Sequence, residues 1–142
     1  MCSALSIDFE ALGPRRVVGD FTAGHVSSDG GLVLLREADR QLQLCERLAD
    51  CFEDHRNPDL VEHTVSELLR QRILGLVCGY EDLCDHETLS RDRLLATAVG
   101  KLDPTGQSRR ERSDRDQPLA SPSTLGRLER TPADADASSR YE

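Results

Sequence analysis

The sequence predicts a mainly α fold: a small helical domain with room for a short β-hairpin near its start, then a flexible linker and a further short helix, and no large sheet. Three observations lead to this class. Leucine and valine recur at spacings of three, four and seven over residues 57–79, the period of an amphipathic helix. Glycine, proline and small polar residues stand where such runs begin and end. Aromatic residues make up only 4% and apolar residues 37% of the 142, so leucine-rich helices rather than aromatic strands must supply the buried surface.

Taken in order, residues 1–15 carry no period and end in Gly13 and Pro14, which reads as a flexible arm. The Val, Phe, Thr and Gly of residues 17–26 fit one or two short strands turning at Ala23 and Gly24. Ser27, Ser28 and Asp29 offer caps for a helix in which Leu34, Leu35, Ala38 and Leu42 share a face up to Gln43. The Ser28, Asp29, Gly30, Gly31 stretch lacks the Lys and Ser/Thr of a phosphate-cradling loop, so it reads as a cap and turn. Leu44, Leu48, Ala49 and Phe52 fit a second helix.

The longest helix should start at Asn57, with Pro58 in the first turn and Asp59 and Glu62 near the positive end of the dipole. It carries Val61, Val65, Leu68, Leu69, Leu76 and Val77 on one face, with Glu62, Ser66, Glu67, Arg70 and Gln71 pointing elsewhere, and closes at Gly79, roughly twenty residues or about 30 Å. Leu68 and Leu69 are expected in the core beneath the first helix. A short helix over residues 83–89 follows, then one capped by Asp92, with Leu94, Leu95, Ala98 and Val99 inward and Gly100 as its stop. Residues 101–118 are almost devoid of apolar side chains and alternate Arg with acids, the composition of a linker. Ser121 and Pro122 open a short helix within residues 119–130, and residues 131–142 read as a disordered tail. The expected organisation is therefore an arm (1–15), a helical domain (16–100), a charged linker (101–118), a short helix (119–130) and a tail (131–142).

The formal net charge is −8, from 26 acids against 18 Lys and Arg. Residues 1–100 hold 18 acids against 10 bases and residues 101–142 hold 8 against 8, so the first hundred residues are repelled by phosphate at long range and any nucleic-acid contact must come from local Arg clusters. Five cysteines without a C-x-x-C pair, and no charged start followed by an apolar run, read as a reduced, cytoplasmic chain. No apolar run approaches the length of a membrane span.

Residues 67–89, ELLRQRILGLVCGYEDLCDHETL, closely resemble the N-terminal region of the DDE group 1 transposases of bacterial insertion sequences, in which a leucine-rich Arg-Gln-Arg helix leads into a Gly-Tyr-Glu-Asp turn. Residues 20–42 (DFTAGHVSSDGGLVLLREADRQL), 100–129 (GKLDPTGQSRRERSDRDQPLASPSTLGRLE) and 131–142 (TPADADASSRYE) agree with it in the same order. Relatives commonly carry proline where Arg93 stands, which weakens that helix start slightly. The resemblance implies DNA transposition by the complete protein: acidic residues on an RNase H-like sheet hold divalent magnesium for strand transfer at the element ends. It also implies that those acids lie downstream, so that this chain is a truncated, catalytically inactive N-terminal part, without its own cofactor, that contributes to DNA binding or assembly and allows a homo-oligomer.

For DNA the candidates are Arg109, Arg110, Arg112 and Arg115 of the linker and Ser121, Ser123, Thr124 and Arg127 of the helix that follows. Hydroxyls and a guanidinium near a helix N-terminus suit phosphate oxygens. No catalytic residue and no metal ligand is assigned. Glu81, Asp82, Asp85, His86 and Glu87 form the densest acidic cluster, but neighbours one apart on a helix do not converge on a metal, and a charged, capping turn explains them. Cys51, His55, Cys78, Cys84 and His86 lack the usual zinc spacings. Two rival readings remain: an independent helical protein-interaction module, and a small metal-dependent nuclease using residues 81–87.

Overall fold

The structure is a computed structural model that describes residues 5–22, 29–131 and 141. Two strands, β1 (Ser6–Leu12) and β2 (Arg15–Asp20), form an antiparallel hairpin. Six α-helices follow among the described residues: α1 (Leu32–Leu42), α2 (Leu44–Ala49), α3 (Val65–Val77), α4 (His86–Leu89), α5 (Arg93–Val99) and α6 (Pro122–Glu129). No larger sheet occurs among the described residues.

The hairpin lies earlier than expected. Residues 6–12, expected inside an arm, are a strand, and the turn falls at Gly13 and Pro14. The reason is local: Gly13 adopts φ +57° and proline supplies the fixed φ that follows, a tight reversal that needs no further residues. Ala23, Gly24, Ser27 and Ser28, the expected turn and caps, lie outside the described residues. α1 instead begins after Gly31 without a side-chain cap. Its buried face is Leu32 and Val33, with Leu35 half-buried, whereas Leu34 and Leu42 are exposed.

α1 and α2 are separated by Gln43 in the left-handed region (φ 53°), a bend made without glycine. Asp39 holds it: Gln43 N–H donates to the Asp39 carbonyl at 2.6 Å and Cys45 N–H to its carboxylate at 2.9 Å.

The helix expected over residues 57–79 is broken. Asn57 caps only a single 3-10 turn, Pro58–Leu60, by accepting from Asp59 N–H at 3.1 Å. The chain is extended at Val61, bends at Glu62 and His63 and reaches Thr64, which starts α3 with a capping box: its hydroxyl accepts from Glu67 N–H at 3.2 Å while Glu67 accepts from Thr64 N–H at 3.0 Å. Reciprocal satisfaction of two otherwise orphaned donors outweighs the apolar period that continues through Val61. α3 is therefore 13 residues, about 20 Å. It ends where expected, at Gly79 with φ +91°, with Gly79 N–H donating to Leu76 and Tyr80 N–H to Gly75, both at 3.0 Å.

Two apolar clusters flank α3. Leu74 joins Leu32, Leu89, Leu95, Ala96, Val99 and Leu119 on one side. Val65 and Leu68 join Ala120, Leu125, Leu128 and Tyr141 on the other. Leu68 is thus buried against α6 rather than beneath α1, with Leu69 only partly buried beside it. Leu76 and Val77, expected inward, are exposed.

Between the clusters sits Gln71, 1% exposed, which the apolar pattern placed on the outer face. Its amide oxygen accepts from Ala120 N–H at 2.9 Å, and its amide nitrogen donates to Ala120 carbonyl at 2.9 Å and to His86 Nδ1 at 3.1 Å. His86 is fully buried and lies on α3 at Gly75, where a Cβ would sit 3.1 Å from the ring. Glycine inside the helix is what admits the imidazole. The flanking arginines complete the hub. Arg70 reaches Asp39 and Glu46, both at 2.9 Å, and the Val99 carbonyl at 3.1 Å. Arg72 pairs with Glu129 of α6 and donates to the carbonyls of Tyr80 and Glu81. The Arg-Gln-Arg motif is therefore the joint at which α1, α2, α4, α5 and α6 meet α3.

Residues 101–118 keep the irregular backbone of a linker, with one 3-10 turn at Arg112–Asp114, yet their path is fixed at several points. Lys101 donates to Glu67 at 2.7 Å and to the Glu62 carbonyl at 3.0 Å. Gly106 is buried with φ +71°, and a Cβ there would meet Pro118 N at 2.9 Å. Pro118, Leu119 and Ala120 are buried, and Leu119 N–H donates to the Ser90 carbonyl at 3.2 Å.

Candidate nucleic-acid interface

α6 begins at Pro122 with Ser121 at its N-cap position, as its Ser-Pro start predicts. The Ser121 hydroxyl lies 3.0 Å from that of Ser123 and 3.2 Å from that of Thr124, so three hydroxyls gather at the positive end of the helix. Leu125 and Leu128 anchor the other face in the core, which leaves Arg127 exposed one turn along.

This helix end forms one wall of a cleft of about 550 Å³, whose lining also includes Arg56, Asn57, Glu62, His63, Arg109 and Asp114. Arg56 pairs with Asp54 at 2.6 Å and stacks 4.9 Å over the Tyr141 ring. Arg109 pairs with Glu62 at 3.0 Å and Asp114 at 3.2 Å, and donates to His63 Nε2. Arginine has no deprotonated form here, so His63 is the acceptor and is neutral. Burial, then the charges of Lys101, Arg109 and Arg56, push its pKa down to about 3.

Of the eight residues the sequence singles out, Arg109, Ser121, Thr124 and Arg127 come together on this cleft. Arg110 lies to one side, its N–H donating to Glu62 at 3.1 Å and its guanidinium to the Asp59 carbonyl. Arg112, Arg115 and Ser123 are exposed and do not line it. Arg109 is largely neutralised by its two carboxylates. Arg127 makes no ion pair among the described residues. Arg56 and His63 carry no such signal in the sequence; His63 enters the cleft from the segment between the 3-10 turn and α3, and Arg56 from the residues that precede that turn.

The acidic cluster spans a 3-10 turn, Leu83–Asp85, and the start of α4. Asp82 accepts from Cys84 N–H at 2.9 Å and caps a 3-10 turn, and His86 points into the core. Cys51 and Cys84 are exposed, Cys78 is half-buried and Cys45 is buried, all as free thiols. Among the described residues no three His, Cys, Asp or Glu side chains converge on a point that would hold a metal ion.

Fold and site together define a small helical module with an arginine- and hydroxyl-lined cleft at a helix N-terminus. The chain belongs to the family described as transposase DDE domain group 1, whose model matches residues 9–141. No curated protein and no solved structure matches it. The family generally uses a divalent metal; among the described residues no group of three His, Cys, Asp or Glu side chains fits one. No helix among the described residues is long and apolar enough to cross a membrane.

Proposed function

We propose that this chain is the architectural N-terminal part of a DDE transposase and contributes DNA contact through α6 and the rim of its cleft, while the acids of strand transfer come from elsewhere in the complete protein. The family match over residues 9–141 supports the transposase role. The observation that carries the DNA contact is the gathering of Ser121, Thr124 and Arg127 beside Arg56 and Arg109. Ser123, Arg110, Arg112 and Arg115 extend that surface outward as further phosphate contacts. Exposed guanidiniums and hydroxyls of this kind anchor a duplex by its backbone, and sequence is then read elsewhere.

Fluorescence anisotropy with a duplex carrying the element ends tests this. Replacing Arg112, Arg115 and Arg127 by alanine is expected to weaken binding and to flatten its salt dependence by about 0.9 log units per lost phosphate contact. Deleting everything beyond Lys101 is unsuitable, because it removes Leu119, Ala120 and Leu125 from the core. Unchanged affinity and salt slope in the triple variant would remove these residues from the interface. The net charge of −8 favours a second reading, an independent protein-interaction module, which requires that the wild-type chain bind no duplex at low salt.

A further inference from the structure

Among the described residues the hairpin leaves one backbone edge without a neighbouring strand. A two-stranded ribbon is marginal by itself in water and gains stability from a further strand or from a helix packed on it. The β1 side is held, because the Arg36 guanidinium of α1 donates to the Glu10 and Ala11 carbonyls at 2.7 and 3.3 Å. The outer edge of β2 has no adjacent strand among the described residues. Strand alternation sets Phe9 and Val17 on one face and Asp8, Arg16, Val18 and Asp20 on the other. Val18 is 44% exposed, and Arg16, whose only ion pair among the described residues is with Asp8 at 2.7 Å, keeps 78% of its side chain exposed.

β2 reads Arg-Arg-Val-Val-Gly-Asp, basic where it starts and acidic where it ends. Antiparallel pairing reverses direction, so this strand is complementary to itself. With Val18 on a two-fold axis, Arg16 of each copy stands opposite Asp20 of the other, and Val17 opposite Gly19, every pair on a matching face. A register centred on Val17 sets Arg16 opposite Val18 and loses both ion pairs. Parallel pairing aligns like charges.

We infer that the outer edge of β2 binds the same edge of a second copy of this chain, joining two hairpins into a four-stranded antiparallel sheet with Val18 at its centre. This goes beyond the transposase reading and does not rest on it. An edge of six residues is small for an interface, so the dimer is weak and depends on concentration.

Sedimentation equilibrium on the full chain over a wide concentration range tests this. The weight-average mass is expected to rise from 15.7 kDa toward twice that value. Asp20→Arg sets arginine against Arg16, and Arg16→Asp sets aspartate against Asp20, so each variant alone is expected to remain monomeric. Their equimolar mixture is expected to associate, because both arginines of one chain then meet both aspartates of the other, and its recovery also demonstrates that both variants fold. A wild-type chain that stays at monomer mass, variants that self-associate as the wild type does, or a mixture that stays monomeric would each overturn the proposal.

Discussion

The hairpin and the segment between α5 and α6 are tied to the helical body in opposite ways. The hairpin has regular backbone and an alternating pattern, yet of residues 6–12 only Leu12 is buried, and Arg36 supplies its side-chain bonds to α1. Residues 101–121 have almost no regular backbone, yet Lys101, Arg109, Arg110 and Ala120 each bond to groups 34 to 49 residues away in sequence. Attachment here follows from where each backbone and side-chain polar group finds its partner, and regular secondary structure is only one way of supplying partners. The irregular segment matters more for function, because it carries α6 and delivers Arg109 to the cleft.

Gln71→Ala strands Ala120 N–H, Ala120 carbonyl and His86 Nδ1 in the core, each at about 1–3 kcal/mol, so a loss of about 4 kcal/mol is expected in chemical denaturation. A loss no larger than that of an exposed substitution would mean that the two clusters are joined by apolar contact alone.

Leu68→Ala, at a site 0% exposed, is expected to cost about 2–5 kcal/mol. Leu69→Ala is expected to cost clearly less, since Leu69 is only partly buried. Equal shifts in melting midpoint for the two variants would contradict the assignment of Leu68 to the α6 interface.

Acid sharpens the same contrast through His63. Its folded pKa, about 3, lies below the ordinary 6.5, so the folded chain prefers the neutral ring. That contribution is intact above pH 6.5 and is lost as pH falls from 6.5 toward 3. The expected slope is about 1.4 kcal/mol per pH unit for one proton, with His86, shifted in the same direction chiefly by burial, adding to it. Carboxylates held low, such as Glu46, whose ordinary value is 4.5, contribute only further down. His63→Gln keeps an acceptor for Arg109 and is expected to flatten the profile between pH 6.5 and about 4.5; an unchanged slope would show that this ring is not responsible.

The smallest effect is expected at the hairpin. Arg36→Ala removes two hydrogen bonds to exposed carbonyls and is expected to cost about 1 kcal/mol or less, read as a small shift in denaturation midpoint. A loss comparable to that of Leu68→Ala would make the hairpin part of the cooperative core.

These differences also mark what could be read from the sequence. The helix start capped by Asp92, the start set by Pro122 in the first turn of α6, and the stops at Gly79 and Gly100 are legible because each depends on near neighbours in the chain. The Thr64 and Glu67 capping box was equally local, but the apolar period running on through Val61 concealed it. Gln43 carries no local sign of its left-handed bend: the Asp39 carboxylate that holds the following Cys45 N–H is itself fixed by Arg70, 31 residues away. Gln71 falls outside the apolar stripe, because a hydrophobicity pattern cannot register a polar side chain whose partners, His86 and Ala120, are supplied from afar. The site divides in the same way. Ser121, Thr124 and Arg127 follow from a helix N-terminus, whereas Arg56 and His63 reach them only through long-range packing.

Amide hydrogen exchange followed residue by residue compares the two regions most directly. The Ala120 N–H, bonded to a buried Gln71 oxygen, is expected to exchange only through global unfolding, as slowly as Leu68 in the middle of α3. The Val17 and Gly19 amides of the hairpin are expected to exchange faster, by local opening. Fast exchange at Ala120 beside protected hairpin amides would contradict the account, because the irregular segment would then be an appendage and α6 would lose the anchor that holds it at the cleft.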